Sequence, residues 1–157
     1  MPGFELIDQK EQLAVQRLFK KEGGILFAHG FDKLRKSYHV RDFEKEIKKK
    51  TKAKYALAVS SGTAAIKISL LALGVKSGDE VITQSFNFIA TAEAIASIGA
   101  KVIICSIDDT LNMCPKDLKK KITKKTKAII CVHLAGLPCD MYGIKKIVNK
   151  KKIKIIE

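Results

Sequence analysis

The spacing of the hydrophobic positions changes about a third of the way along the chain. Residues 8–21 and 40–53 each space their apolar side chains for one helical face, and the stretch between them shows no clear period. From residue 55 onwards, short apolar runs alternate with longer helical patterns. The pattern predicts a mostly helical N-terminal arm over residues 1–50, interrupted by a loop at 25–39, and a separate domain over residues 51–157.

Five apolar runs of the second region have the composition of strands, and a helical pattern separates each pair. The predicted strands are YALAVS (55–60), EVITQS (80–85), KVIICSI (101–107), KAIICVHL (127–134) and KIKIIE (152–157). The predicted helices are 63–73, 86–98, 115–122 and 140–150, the first two ended by Gly74 and Gly99. Near-continuous Val/Ile runs are typical of strands buried on both faces, and alternation with helices requires a largely parallel sheet. The predicted fold class is therefore α/β, with a doubly wound, mostly parallel sheet.

Polar and aromatic residues follow several predicted strands at the point where each one ends. Ligands of open α/β sheets bind beyond the carboxyl ends of the strands, so these positions are the candidate site. They are Ser60 to Thr63, Ser85 to Phe88, Asp108 with Asp109, His133 and Glu157.

Two of these stretches suggest a chemistry. Ser60-Ser61-Gly62-Thr63 precedes a helix, whose first amides are unpaired, and Gly62 allows close approach to the backbone. The stretch suits an anion, and it equally suits an ordinary Ser or Thr N-cap. Phe88 lies in the first turn of the next predicted helix and could stack on a flat ring, although core packing is the commoner role of phenylalanine.

The charge of the chain is strongly positive and comes almost entirely from lysine. Lys and Arg number 30 against 16 Asp and Glu, a formal net charge of +14. Sequence-specific DNA readers depend on arginine and polar amides, arginine is scarce here, and no nucleic-acid-binding motif occurs. A solvated lysine-rich face is favoured over a basic nucleic-acid-binding module, and nucleic acid is not an expected partner.

The remaining composition narrows the class of protein further. At 157 residues with 46% hydrophobic residues, the chain can form a folded domain with a core. Cys105, Cys114, Cys131 and Cys139 form no C-x-x-C pair, so zinc binding is not expected. Cys105 and Cys131 lie within predicted strands and are expected to be buried thiols. No apolar run reaches the length of about 18–20 residues that a membrane span needs, and the N-terminus lacks the apolar segment of a secretory signal. We expect a cytoplasmic protein.

The ordered motifs resemble one family in particular. ALAVSSGTAAIKISLLALG, GDEVITQSFNFIATAEAIASIGAKVIICSID, AIICVHLAGLPCDM and IKIIE, in this order and spacing, resemble the N-terminal part of the DegT/DnrJ/EryC1/StrS family. These are pyridoxal-phosphate-dependent sugar aminotransferases with the aspartate aminotransferase (type I) fold. The resemblance implies that Gly62, Thr63 and Ala64 bind the 5′-phosphate of the cofactor and that Phe88 stacks on its pyridine ring. It places Ser85 and Asn87 beside the ring, and His133 in a loop near the cofactor.

The same resemblance implies a function and a limit. The implied function is amino transfer to keto sugars linked to nucleotides, with glutamate as the amino donor and a homodimer as the working form. The family's aspartate for the pyridine nitrogen, its Schiff-base lysine and its small C-terminal domain follow the position of Glu157. We therefore expect the 157 residues to hold only part of the large domain and to lack catalytic residues. We expect them to bind the cofactor weakly or not at all and to be inactive alone. We also expect them to self-associate. The alternative is a non-catalytic remnant that binds a partner or anions.

Overall fold

The computed structural model describes residues 6–21, 38–149 and 151–157, in two compact units that divide after residue 58. The first unit contains helices α1 (Gln9–Lys21) and α2 (His39–Thr51). The second contains α3 (Gly62–Ala72), β1 (Glu80–Gln84), α4 (Ala90–Ala96), β2 (Lys101–Cys105), α5 (Pro115–Lys121), β3 (Thr126–Ile130), α6 (Met141–Val148) and β4 (Lys154–Ile156), with a 3₁₀ turn at Leu134–Gly136.

The two helices of the first unit lie where the apolar spacing predicts them. Lysines occupy the last turn of α2, where they complement the partial negative charge of the helix end. Glu44 accepts a hydrogen bond from the Ala58 N–H at 2.8 Å, which ties the segment after α2 to the helix. The predicted loop at 25–39 lies outside the described residues except for its last two, and His39 is already the first residue of α2.

The second unit is built on a four-stranded sheet with the strand order β2-β1-β3-β4. Every pairing is parallel: Val81 lies opposite Val102 on one side and Ala128 on the other, and Ile129 lies opposite Ile155. The chain moves outward from β1 to β2 and then returns to place β3 on the other side of β1. The strand order therefore reverses beside β1, which is where open α/β sheets bind ligands.

Helices cover both faces of this sheet, because successive strand residues point to opposite sides. On one face, Val81 and Ile130 pack with Leu70 of α3 and Ile95 of α4. On the other face the packing includes Ile82, Ile129, Leu118 of α5 and Ile144 of α6. The predicted doubly wound α/β fold is confirmed.

Three predicted elements differ from the structure, and one of them, the strand predicted at 127–134, ends already at Ile130. Residues 55–60, predicted as a strand, belong to no ladder, because no strand of the described residues pairs with them. Helix 86–98 begins only at Ala90, because Asn87 uses its side-chain amide to donate to Gln84 O at 2.8 Å and Thr83 Oγ1 at 3.0 Å. This local bonding holds residues 85–88 in a bend instead of a helical turn.

The strand β2 is not buried on both faces as its sequence suggests. It lies at the edge of the sheet, and Ile104 remains 46% exposed. A run of Val and Ile residues fits an edge strand as well as a central one, so composition does not separate the two.

The end of α3 shows why Gly74 is required there. Gly74 has φ of +77°, and its N–H donates to Leu71 O while the Val75 N–H donates to Leu70 O. This pair of bonds is a Schellman motif, which satisfies the last carbonyls of the helix and needs a left-handed residue. The predicted stop at Gly74 is confirmed.

Asp117 gives the fold a predictable pH dependence. Its carboxylate accepts the Ser106 N–H at 2.8 Å, and this bond holds the pKa of Asp117 below its ordinary value. Because the folded pKa is below the unfolded one, the bond stabilises the fold above the unfolded pKa and is lost as pH falls through the folded pKa. We expect Asp117→Asn to lower the free energy of unfolding by about 1 kcal/mol at pH 6. Chemical denaturation at pH 3 should show a smaller difference, and an equal loss at both pH values would contradict this role of the carboxylate.

Candidate functional site

A cavity of about 520 Å³ opens at the carboxyl ends of the strands in the second unit. Its wall comes from the start of α3, the start of α4, and the residues that end β3 and β4. The lining residues are Gly62, Thr63, Ile66, Phe88, Ala90, Thr91, Ile130, Cys131, Val132, His133, Ile156 and Glu157. Four of the five predicted cofactor-binding residues therefore meet at one concave site, at the edge of the sheet where the topology places ligands.

The first turn of α3 offers hydrogen-bond donors to this cavity. Ser61 caps the helix, since its hydroxyl oxygen accepts the Ala64 N–H at 3.1 Å. The amides of Gly62 and Thr63 precede the first intrahelical donor and have no acceptor among the described residues. The N-cap interpretation of the Ser-Ser-Gly-Thr stretch is confirmed at Ser61. Anion binding stays a prediction, for which Gly62 and Thr63 leave donors open at the positive end of the helix dipole.

Ala64 is placed differently from its two neighbours. It does not line the cavity, and its N–H is already bonded to Ser61. In this structure its amide is not an open donor, so the assignment of Ala64 to phosphate binding stays a prediction that requires Ser61 to release it.

Phe88 lies at the cavity with 78% of its surface exposed. The preference for core packing is therefore wrong for this phenylalanine. A large apolar ring exposed beside a cavity costs hydration free energy, so its position is more consistent with a ring that packs on a ligand. Asn87 fixes the bend from which it projects, and Ser85 is exposed next to that bend without lining the cavity.

His133 is held in one tautomer by its two neighbours. The Cys139 N–H donates to Nδ1 at 3.1 Å, so Nδ1 carries no proton in the neutral ring. The proton then lies on Nε2, which is 3.3 Å from Glu157 Oε2 and donates to it. The ring is thus fixed at the cavity wall, with Nε2–H as its donor and Nδ1 as its acceptor.

This geometry gives a spectroscopic prediction for His133. We expect the neutral ring to be the Nε2–H tautomer, which two-bond ¹H–¹⁵N correlation spectra identify directly. Glu157→Gln should keep this tautomer, because the Cys139 N–H still occupies Nδ1. A spectrum showing Nδ1–H would contradict the assignment.

Two buried amide side chains support the loop that carries His133, and neither is predicted from the sequence. Gln84 is 1% exposed; its Oε1 accepts the Val132 N–H at 3.2 Å, and its Nε2 donates to Phe86 O and Leu111 O. Asn112, also 1% exposed, accepts the Leu134 N–H and donates to Leu137 O at 3.1 Å. A signal existed for Gln84 alone, because it lies, like Glu80 and Thr83, as a polar residue in a strand that is predicted to be buried.

One cysteine, Cys131, lines the cavity, and it is buried, as are Cys105 and Cys139. Burial raises the pKa of Cys131 to about 12 and that of Cys105 to about 12. Burial also raises the pKa of Cys139. Since the thiolate is the nucleophilic form, Cys131 contributes an apolar wall to the cavity rather than a nucleophile.

Asp108 and Asp109 do not reach the cavity, although they follow a strand. The Asp108 carboxylate accepts from the N–H and the hydroxyl of Thr110, which forms a local turn. The described residues also contain no group of three metal-ligating side chains, and none of the described helices has the length and apolar content to cross a membrane.

Comparison with known proteins shows that this fold is similar to that of aminotransferases. The structure superposes on the X-ray structure of an aminotransferase from Psychrobacter cryohalolentis with a TM-score of 0.83 and 35% identity, over 95% of this chain and 36% of that one. It also matches NtdA from Bacillus subtilis with bound cofactor PMP, with a TM-score of 0.82 and 35% identity, over 96% of this chain and 33% of that one.

The sequence defines the family. The model of the DegT/DnrJ/EryC1/StrS aminotransferase family matches residues 28–157, and the chain belongs to this family. GDP-perosamine synthase of Escherichia coli O157:H7 is 42% identical over 123 residues, which are 78% of this chain and 34% of that protein. The chain thus spans about a third of the length of the relatives it matches.

Proposed function

We propose that residues 59–157 form the phosphate-binding and ring-stacking side of a pyridoxal 5′-phosphate site in a nucleotide-sugar aminotransferase. The observation that carries the proposal is the meeting of Gly62, Thr63, Phe88 and His133 at one cavity. The similarity to GDP-perosamine synthase supports a keto sugar linked to a nucleotide as the substrate class. Glutamate is proposed as the amino donor from the family resemblance.

The donor set of the cavity fits the cofactor. A dianionic phosphate can accept the two open amides of Gly62 and Thr63 together with the Thr63 hydroxyl, at the positive end of an eleven-residue helix. The exposed ring of Phe88 offers a flat apolar surface of the size that a pyridine ring needs. The cavity volume is within the range usual for small-molecule sites.

The chain's own residues would bind and orient the cofactor rather than perform the proton transfers. Bound pyridoxal phosphate supplies the electron sink that amino transfer requires. The amides at the start of α3 would hold its phosphate, Phe88 would pack on its ring, and Ile66, Ile130 and Val132 would form an apolar part of the wall. His133 donates its Nε2–H to Glu157, so its ring forms a fixed polar part of the cavity wall.

We further propose that residues 1–157 alone do not catalyse amino transfer. No lysine among the described residues lines the cavity, and exposed lysines are poor substitutes because a Schiff-base lysine must be desolvated and aimed. The purified 157-residue chain, supplied with cofactor, glutamate and a nucleotide keto sugar, should produce no amino sugar above background. Turnover that depends on the cofactor would refute this second proposal.

The proposed self-association is supported by the apolar side chains that the second unit leaves exposed. Ile68 and Leu71 of α3 and Phe86 and Ile89 before α4 are each more than two-fifths exposed. Exposed apolar surface of this kind marks interaction sites. Light scattering should show a species larger than a monomer, and a clean monomer at micromolar concentration would count against it.

The binding proposal is tested with pyridoxamine 5′-phosphate, since an aldehyde would react with the many exposed lysines. Calorimetric titration should show pyridoxamine 5′-phosphate binding at least about 30-fold more tightly than pyridoxamine, the equivalent of about 2 kcal/mol from the phosphate. Inorganic phosphate should compete. Equal affinity for the two amines would contradict a phosphate site.

A further inference from the structure

A lysine surface lies apart from the cavity, near the amino ends of the strands. Three neighbouring clefts of about 590, 400 and 360 Å³ open around the amino ends of β3 and β4 and around α5 and α6. We define the lysine surface by the seven lysines that line them: Lys119, Lys124, Lys127, Lys145, Lys146, Lys151 and Lys152. The first and second clefts share Lys151, and the second and third share Lys146, so the surface is continuous.

The positive charge of this surface is not neutralised by the protein. All seven lysines are exposed, no carboxylate lines any of the three clefts, and none of the seven forms an ion pair with a described residue. Glu80, whose carboxylate accepts the hydroxyl of Thr123 in the first cleft at 2.5 Å, is itself buried. Like charges brought together without partners repel, and a polyanion would relieve that repulsion.

We propose that the lysine surface binds the sugar-phosphate backbone of single-stranded nucleic acid, independently of its sequence. Lysine is a point charge that suits phosphates, whereas specific base contacts depend on arginine and amides, and residues 59–157 contain no arginine. The clefts have apolar floors at Ile122, Ile147 and Ile153. Tyr142, 80% exposed in the third cleft, provides a face on which a base can stack.

Two other polyanions fit this surface less well. A membrane would require a broad apolar helix face to insert, but α6 buries Ile144 and Val148 against the sheet, and Tyr142 is its one large exposed apolar side chain. An acidic polypeptide presents carboxylates, for which the two-pronged guanidinium of arginine is the better partner. The composition alone favours a solvated face; the continuity of the lysines, which only the structure shows, favours a binding surface.

Binding should depend steeply on salt. Each phosphate contact on a single strand contributes about 0.7 to the slope of log affinity against log salt, so seven contacts give a slope of up to about −5. Fluorescence anisotropy of a labelled 20-nucleotide oligouridine with the full chain, between 50 and 200 mM salt, measures this slope, and oligothymidine should behave alike.

A triple substitution distinguishes binding by this surface from general attraction by the net positive charge of the chain. Lys127→Gln, Lys146→Gln and Lys151→Gln together should reduce the slope by about 2 and the affinity roughly 100-fold at 0.1 M salt. The matched control replaces three exposed lysines elsewhere, Lys20→Gln and Lys48→Gln in the first unit and Lys67→Gln on α3, and should keep most of the affinity. Far-UV circular dichroism confirms that both variants fold, which is expected because every altered side chain is exposed.

Three outcomes would overturn the proposal. They are equal losses in the two triple variants, competition by polyglutamate as strong as that by oligouridine, and binding to vesicles of anionic lipid as tight as binding to oligouridine. Because the cavity lies at the carboxyl ends of the strands, the first cleft lies at their amino ends, and the cavity shares no lining residue with the three clefts, pyridoxamine 5′-phosphate should not compete with the oligonucleotide. The two proposals can therefore fail separately.

Discussion

Thr63→Val should weaken the binding of pyridoxamine 5′-phosphate at least about 10-fold. The substitution keeps the shape of the side chain and removes the hydroxyl, which would donate to a charged phosphate oxygen. Hydrogen bonds to charged groups contribute about 1.5–3 kcal/mol, which corresponds to about 10- to 100-fold in affinity. Calorimetric titration of the wild-type chain and the variant measures the loss.

Thr63→Ser is the matched control, because it restores the hydroxyl and should recover most of the affinity. Neither substitution should change the free energy of unfolding by more than about 0.5 kcal/mol, since Thr63 is exposed and bonds to no described side chain. An unchanged affinity in Thr63→Val would show that the ligand, if bound, is held elsewhere.

Gln84→Met is expected to cost about 3 kcal/mol of stability. The side chains have similar volumes, so the loss comes from hydrogen bonds: the Val132 N–H and the Phe86 and Leu111 carbonyls lose their buried partner. A buried polar group left unsatisfied costs about 1–3 kcal/mol. Urea denaturation followed by circular dichroism measures the change.

Ile82→Met on the same strand is the control for a buried methionine in this part of the sheet. A volume-conserving apolar change should cost less than about 1.5 kcal/mol. Gln84→Met should also speed hydrogen exchange at Val132, next to His133. Equal losses in the two variants would mean that Gln84 acts as core volume and does not support the loop.

Most of the fold could be predicted from the sequence because its signals are local. Gly74 ends α3 through bonds within six residues, Asp140 caps α6 by accepting the Gly143 N–H, and the apolar runs of β1 and β3 mark their own burial. The strand predicted at residues 55–60 was wrong because a strand does not depend on local signals alone. A strand exists only with a partner, and nothing within a run of apolar residues specifies which distant segment that partner is.

The residues of the candidate site also differ in whether their role has a local signal in the sequence. Gly62 and Phe88 are predicted by their place after a predicted strand or at a helix start. Gln84 and Asn112 are not, because their partners at Val132 and Leu134 lie 48 and 22 residues away. The contact between His133 and Glu157 spans 24 residues and depends on β3 and β4 being neighbours, so its geometry follows only from the fold.

Backbone amide spectra recorded during a titration with pyridoxamine 5′-phosphate test the central claim most directly. If the carboxyl-end cavity binds the phosphate, the largest shifts should fall on the Gly62 and Thr63 amides, with smaller shifts at Phe88 and His133. Shifts concentrated on Lys124, Lys127 and Lys151 instead would show that the ligand is attracted by the lysine surface, and that the start of α3 is only a capped helix.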